Sequence, residues 1–246
     1  MTRTSDVDDR LRVHLAQPMP QTIDEAVARM KGIEAIIGPQ DGLFPFAQLY
    51  RITTEHIGNK PASFWQDPDR LRRLDVYFAE AFFEALRRWL GPDPDSTPSA
   101  WKVMFRVRHQ PGISPLRRAV AGMNAHINRD LSYCITQVWA ETGDPGDGSG
   151  MHVDFDRVNQ VLGETEPEAK AQLFERWMRQ LDSAAADIDD VMELWSIARA
   201  RDMAWVNARS QWALRDKAPL RNAALSGTDK MASYLGRLVL GTLRAT

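Results

Sequence analysis

The segment Pro68–Leu90 constrains the fold of this chain most, because its apolar residues recur at every third or fourth position. In a helix, that spacing places Leu71, Phe78 and Phe82 on one face. A long helix with such a stripe must bury the stripe against other elements, so the chain needs a substantial core. The prolines and the glycine of residues 91–99, GPDPDSTPS, then end the helix.

The same period recurs along most of the chain and predicts an all-α fold. We expect a single-domain bundle of about 8–9 helices with little or no β structure. Residues 1–21 are expected to form a flexible N-terminus, and residues 22–246 the helical domain. Thr22 and Ser114 are predicted N-caps, and Pro115 suits a first helical turn. The predicted helices span residues 22–37, 43–57, 68–90, 101–108, 115–142, 151–162, 167–183, 188–215 and 228–243. Residues 101–108 also alternate like a strand, and the helical surroundings favour a helix there.

The composition excludes several classes of protein. Eight Trp and ten Met against five His imply either a thick core or a pocket for an apolar small molecule. Cys134 is the only cysteine, so an intrachain disulfide is excluded. The 31 basic and 33 acidic residues nearly balance, so no nucleic-acid partner is predicted. No stretch approaches the roughly 20 apolar residues of a membrane span, and residues 1–12 lack the apolar core of a signal peptide, so we expect a cytoplasmic protein.

The segment Gly122–Trp139 combines an apolar helical face with polar residues. Asn124 and Asn128 lie on or beside that face, one turn apart. Buried amides need hydrogen-bond partners, so these two side chains must either hold a neighbouring backbone or line a polar pocket. His126 and Asp130 form a second stripe on the adjoining flank, which continues to Tyr133.

The spacing of His126 and Asp130 is typical of a supported imidazole. A carboxylate one turn from a histidine can select its tautomer and raise its basicity, as a general base or a metal ligand requires. A structural polar network in a buried helix would show the same pattern. The sequence therefore leaves a catalytic and a structural interpretation open.

A second histidine is followed by an aspartate at the same spacing, in the segment Met151–Leu162. His152, Asp156 and Asn159 share one helical face there. If this helix and the previous one are antiparallel neighbours, a divalent metal is an alternative, with the ligands His126, His152, Asp130, Asp154 and Asp156. The chain lacks an HExxH motif, so no cofactor is our first prediction. In a simpler interpretation, Asp154 or Asp156 caps the helix and His152 lies in a loop.

Arg201 and Trp205 lie one turn apart in a further helical segment. An arginine beside an indole can make a cation–π contact, neutralise a buried carboxylate such as Asp130, or hold an anionic group of a substrate. Tryptophans at helical spacing form either a core or the wall of a pocket.

Five stretches together resemble a bacterial family of helical proteins that is classed as a domain of unknown function. They are DGLFPFAQLYRITT, FWQDPDRLRRLDVYFAEAFFEAL, GMNAHINRDL, HVDFDRVNQVL and ARDMAWVNA, and NAHINxDL is the most specific signature. The resemblance implies an all-helical single domain but no reaction. The signature positions that it implies are Asn124, His126, Asn128, Asp130, Asp154, Asn159, Arg201 and Trp205.

The first functional hypothesis is an enzyme that acts on an apolar small molecule, in a biosynthetic tailoring or cyclisation step. His126 would be the general acid or base, oriented by Asp130, while Asn124 and Asn128 hold a carbonyl or oxyanion and Arg201 balances charge. The predicted substrate contacts are Tyr50, Tyr133, Asn159 and Trp205. The alternatives are a metal-dependent hydrolase or oxygenase and a non-catalytic binding or interaction protein.

Overall fold

The computed structural model describes residues 3–163 and 196–242 of the chain. Within these ranges no residue lies in a β-strand, which confirms the predicted all-α single-domain fold. A π-helix, Ala125–Leu131, joins two of the α-helices. The α-helices are α1 (Arg3–Leu15), α2 (Ile23–Ile37), α3 (Phe44–Gly58), α4 (Pro68–Leu90), α5 (Ser99–Arg106), α6 (Pro115–Asn124), α7 (Ser132–Thr142), α8 (150–163), α9 (Ile197–Ala213) and α10 (Ala218–Val239).

The predicted N-caps are confirmed. The Thr22 hydroxyl accepts a hydrogen bond from the Glu25 amide at 3.2 Å, and the Glu25 carboxylate accepts one from the Gln21 amide at 2.7 Å. Ser114 Oγ accepts from the Arg117 amide at 3.3 Å. These contacts satisfy amides in the first turns that have no partner within the helix, so α2 and α6 begin where the sequence predicts.

The structure differs from the prediction at both ends of the chain. Arg3–Leu15 forms a helix where we expected a flexible segment, because Leu11 and Leu15 lie one turn apart and are completely buried. The last helix begins at Ala218 rather than at residue 228, since Pro219 fits its first turn and Gly227 lies within the helix without ending it. The predicted helix 167–183 lies outside the described residues.

The predicted helix 115–142 is continuous but not uniform. Its middle part, Ala125–Leu131, is wound as a π-helix between α6 and α7. This π segment packs against α4, α5, α9 and α10, so it occupies the middle of the bundle. Because a π-helix bonds each amide to the carbonyl five residues earlier, the polar side chains of this segment are placed differently from those of an α-helix.

The abundant tryptophan and aromatic residues supply much of the core. Trp101, Trp139, Phe46 and Phe155 are among the largest completely buried side chains. Burial of such side chains supplies most of the driving force for packing the helices together. Of the helices described, none is both long and apolar enough to cross a membrane.

Candidate functional site

His126 lies inside a cage of aromatic rings at the centre of the bundle. Its side chain is completely buried. The imidazole stacks on Phe78 with ring centroids 3.5 Å apart and planes within 4° of parallel. The Tyr50 ring meets it edge-on at 4.4 Å. The rings of this aromatic cage belong to Phe46, Tyr50, Phe78, Phe82 and Trp101.

Asp130 holds the imidazole by one nitrogen. His126 Nδ1 and Asp130 Oδ2 are 3.2 Å apart, and the Trp101 indole N–H donates to the same oxygen at 2.8 Å. Arg129 donates to the other carboxylate oxygen. Despite complete burial, the cation of Arg129 and the hydrogen bond from His126 keep the pKa of Asp130 below its usual value. An ionised carboxylate only accepts hydrogen bonds, so the proton of the neutral imidazole is on Nδ1.

The second imidazole nitrogen is buried without a hydrogen bond. Within the described part of the chain, His126 Nε2 has no partner and no access to solvent. Burial lowers the pKa of His126, and this effect exceeds the opposing effect of Asp130. At neutral pH the imidazole is therefore uncharged, and Nε2 presents a free lone pair inside the aromatic cage.

Asp75 carries another unpartnered polar atom near this cage. It lies one turn before Phe78 on α4, so the two side chains share a face of that helix. The residue is partly exposed, but its Oδ2 is buried and makes no hydrogen bond to any described residue. Burial raises the pKa of Asp75 to about 7, against an opposing effect of Arg201. The carboxyl is thus poised to exchange a proton near neutral pH.

The charges of both Asp75 and Asp130 act on Tyr50. Burial raises the pKa of its hydroxyl, and the charges of Asp75 and Asp130 raise it further. The Tyr50 ring also contacts His126, so Tyr50 is within electrostatic range of Asp75 and in contact with the imidazole. Tyr50 was predicted as a substrate contact, and the structure places it beside His126.

Asn124 holds the backbone of α10, and Asn128 holds the side chain of Asn124. Asn124 Nδ2 donates to the Ala232 carbonyl of α10 at 2.7 Å, and Asn128 Nδ2 donates to Asn124 Oδ1 at 2.8 Å. Their amide groups are therefore engaged in joining the π segment to α10. We expected them to hold a carbonyl or an oxyanion of a substrate, and the structure instead has the backbone-holding arrangement that the sequence left open.

Arg201 faces α8 and not Asp130. Its guanidinium donates to Asn159 Oδ1 and to the Phe155 carbonyl, each at 2.7 Å, and lies 4.2 Å from the centroid of the Phe155 ring. Burial lowers the pKa of Arg201 to about 10, which still leaves it charged at neutral pH. The cation that neutralises Asp130 is its neighbour Arg129, which the sequence analysis did not consider.

The side chains of the two predicted His–Asp pairs have different partners in the described structure. His152 stacks on Trp205 at 4.4 Å, and its Nδ1 accepts a hydrogen bond from the Gly148 amide at 2.9 Å. Asp154 accepts hydrogen bonds from the Gln66 amide at 2.8 Å and the Asp67 amide at 2.6 Å, before α4. Residues 3–163 and 196–242 contain no cluster of three or more side chains suited to a metal.

Three further predicted residues also have other partners. Asp156 is exposed on α8. The Trp205 indole N–H donates to Asp147 Oδ1 at 2.9 Å, which ties α9 to the glycine-rich loop before α8. Tyr133 is 38% exposed and packs near Arg129, so it points away from His126. The π-helix explains the misplacement of Tyr133, because our prediction assumed an α-helical turn between the two residues.

Two cavities formed by described residues lie outside the aromatic cage. One, of about 420 Å³, is lined by the loops around Arg108 and Arg118. The other, of about 790 Å³, lies between α2, α3 and α4 and is lined by residues that include Asp75 and Tyr77. Neither cavity is lined by His126. The larger one nevertheless brings solvent to the helix face that carries Asp75.

Gly122 sets the distance between α6 and the aromatic cage. A Cβ atom at this position would lie 2.5–2.7 Å from three side-chain atoms of Phe46. We therefore expect Gly122→Ala to displace the Phe46 ring and lower the free energy of unfolding by about 1–3 kcal/mol. Urea denaturation measures this change.

The matched control is Gly227→Ala, also within a helix, where a Cβ meets no atom within 4 Å. That change should raise the free energy of unfolding by about 0.5–1 kcal/mol, because alanine favours helix more than glycine does. Equal stability of Gly122→Ala and the wild type would contradict the close approach of α6 and Phe46.

Sequence reasoning missed Asp75 and the aromatic partners of His126. A signal for Asp75 was present, because it occupies the apolar stripe of α4 between Leu71 and Phe82. A lone aspartate at a buried helical position is costly and therefore informative. No local pattern pointed to Phe78 or Trp101 as contacts of His126, since both come from other helices.

Comparison with known proteins identifies one match. A family described as "Family of unknown function (DUF5995)" matches residues 23–242, which cover α2–α10 and exclude α1. No curated protein and no solved structure matches the chain. The matched range includes the aromatic cage, Asp130 and Asp75, but the family carries no assigned activity.

Proposed function

We propose that this chain, which belongs to the family of unknown function DUF5995, is an enzyme that moves a proton on an apolar small molecule. The observation that carries the proposal is the buried lone pair of His126 Nε2, which has no partner among the described residues. A buried polar atom without a hydrogen bond costs free energy, so its retention suggests a ligand or a chemical task. The reaction fits a tailoring or cyclisation step of biosynthesis.

In this proposal His126 is the general base. Its pKa is lowered by burial, so Nε2 is free to accept a proton at neutral pH. Asp130 orients the ring through Nδ1 and stabilises the imidazolium that forms when the proton arrives. Trp101 and Arg129 in turn keep Asp130 in place and ionised. In the return step, the imidazolium gives the proton back to the product.

The surroundings support an apolar substrate. The rings of Tyr50 and Phe78 flank the imidazole, and apolar walls strengthen electrostatic interactions by excluding water. The π-helix that carries His126 and Asp130 also supports the proposal, because π segments are rare and frequently occur at functional sites.

The test compares the wild type with His126→Gln, which preserves a hydrogen-bond donor toward Asp130 but removes the base. One probe is 5-nitrobenzisoxazole, a neutral aromatic molecule. A base removes its C–H proton, the N–O bond breaks, and the product is a coloured phenolate that absorbance measures. The second is a small-molecule extract of bacterial cells, followed by mass spectrometry. We expect His126→Gln to lose at least about 100-fold in rate on any probe that the wild type converts.

The control is His109→Gln, which removes an exposed histidine of the same chain. It should keep the wild-type rate, and all three proteins should retain their helical circular dichroism. Equal rates of the wild type and His126→Gln on both probes would contradict the proposal.

One observation favours a non-catalytic role as the second candidate. The aromatic cage encloses His126, and neither of the two cavities described above is lined by it. In that case the His126–Asp130 pair would only specify how the helices pack. The same substitution distinguishes the two, because a structural pair predicts a large loss of melting temperature in His126→Gln and no effect specific to turnover.

A further inference from the structure

We propose that Asp75 is a second polar contact for the small molecule that binds beside His126, and that this molecule carries a hydroxyl or amino group on an apolar body. This inference rests on the proposed function, since it assigns a substrate class to the same site. It adds a residue from a different helix, which the proposed proton transfer does not use.

The backbone of α4 places Asp75 next to the cage. Asp75 and Phe78 are one turn apart, and the Phe78 ring lies flat against the imidazole at 3.5 Å. Tyr50 approaches from α3, with its ring against His126 and its hydroxyl within electrostatic range of Asp75. The helix whose Phe78 ring contacts His126 therefore also carries Asp75, one turn away.

The two buried acceptor atoms without hydrogen bonds define which chemical groups such a molecule must carry. Asp75 Oδ2 and His126 Nε2 are both buried, and neither finds a donor anywhere in residues 3–163 and 196–242. A lone pair on nitrogen and a carboxylate oxygen both accept hydrogen bonds, so the missing partners are O–H or N–H donors. Burial of two such acceptors without partners is costly, and a ligand with donors would remove that cost.

The charges disfavour an anionic ligand. Asp75 and Asp130 both lie near Tyr50, so an anion there would face two carboxylates. Arg201 is within electrostatic range of Asp75, but its Nε and Nη2 atoms donate to Asn159 and to the Phe155 carbonyl. Burial raises the pKa of Asp75 to about 7, so its carboxyl can also return a proton to a bound hydroxyl or amine.

A cavity large enough for a small molecule lies on the side of α4 that carries Asp75. The cavity of about 790 Å³ between α2, α3 and α4 is lined by residues that include Asp75, Trp65 and Ile57. Its size is within the range of small-molecule sites. Asp75 therefore lines this cavity and lies one helical turn from Phe78 of the aromatic cage.

The inference is tested by measuring the affinity of the full chain for three probes by calorimetry. The probes are p-cresol, which carries a donor, toluene, which has the same apolar body without one, and p-toluate, which is an anion. We expect p-cresol to bind at least 10-fold more tightly than toluene or p-toluate. Toluene or p-toluate binding as tightly as p-cresol, or no saturable binding of p-cresol, would overturn the inference.

The decisive variant is Asp75→Leu, which removes the acceptor and fills the space with an apolar side chain. We expect its Kd for p-cresol to rise by about 10-fold, because a hydrogen bond to a carboxylate is lost. Asp95→Leu, at an aspartate whose side chain is 93% exposed and which lines neither cavity, should leave the Kd unchanged. An unchanged Kd in Asp75→Leu would overturn the proposal.

Two measurements keep this test independent of folding and of the proposed reaction. Asp75→Asn retains the size of the side chain and should weaken p-cresol binding less than Asp75→Leu does, and both variants should melt no lower than the wild type. Donor-dependent binding without His126-dependent turnover would contradict the proposed function alone. If turnover requires His126 but the Kd for p-cresol does not change in the Asp75 variants, this inference alone is overturned.

Discussion

Replacement of Asp130 by alanine is expected to lower the free energy of unfolding by about 3–5 kcal/mol. The carboxylate is completely buried and receives hydrogen bonds from His126, Trp101 and Arg129. Its removal leaves three buried or partly buried donors without their acceptor, one of them a guanidinium. Unpaired buried groups cost far more than the pair itself contributes, so the loss should be large.

Urea denaturation at neutral pH measures the change. Asp95→Ala is the matched control, because the Asp95 side chain is 93% exposed and should change stability by no more than about 0.5 kcal/mol. The pKa of Asp130 is lowered from its usual 3.8. Its stabilising contribution is therefore complete above that value and is lost only as the pH falls through the lower pKa of the folded protein. Similar free energies of unfolding for Asp130→Ala and Asp95→Ala would contradict a stabilising hydrogen-bond network around Asp130.

Replacement of Asp75 by asparagine is expected to have the opposite effect and to stabilise the protein at pH 8. The pKa of Asp75 rises from 3.8 in the unfolded chain to about 7 in the folded protein, so ionisation opposes folding. That shift corresponds to about 4 kcal/mol at most, and the partial exposure of the residue reduces it. We expect Asp75→Asn to raise the free energy of unfolding by about 2–4 kcal/mol at pH 8.

The pH dependence distinguishes this cause from a change in packing. The destabilisation by Asp75 is absent below pH 3.8, grows as the pH rises, and is complete above about pH 7. The gain from Asp75→Asn should therefore fall below about 1 kcal/mol at pH 4. Parallel urea denaturation at pH 4 and pH 8 measures both values. An equal gain in stability at the two pH values, or a loss of stability at pH 8, would show that burial does not destabilise the ionised Asp75 carboxylate.

The two aspartates differ most in their hydrogen-bond partners. Asp130 sits among donors and favours the ionised form, whereas Asp75 Oδ2 has no donor in the described structure. A carboxyl that destabilises its own protein is typical of a functional position, where activity is retained at the expense of stability. This contrast is the main reason for assigning Asp75 a ligand.

Much of the fold was predictable because it depends on local physics. The stripe of α4, the cap at Thr22 and the proline after Ser114 each act within a few residues, and the helices begin where these signals lie. The prediction failed at α1, where two buried leucines lie within a highly charged segment, and at the start of α10. In both places packing against the rest of the bundle outweighed the local signal.

The candidate site was predictable only within one helix. His126 and Asp130 are four residues apart, so their contact follows from helical geometry alone. Tyr133 and Arg201 were placed wrongly, because the first depends on the winding of the π segment and the second on which helix faces α9.

The sequence by itself determined that this chain folds into helices and that an imidazole and a carboxylate meet in its central helix, because both follow from interactions between near neighbours. Only the tertiary structure decided that the imidazole is enclosed by rings from three other helices, that its second nitrogen is unpartnered, and that Asp75 lies beside it. These properties depend on burial and on contacts between residues far apart in the chain, which no local spacing specifies.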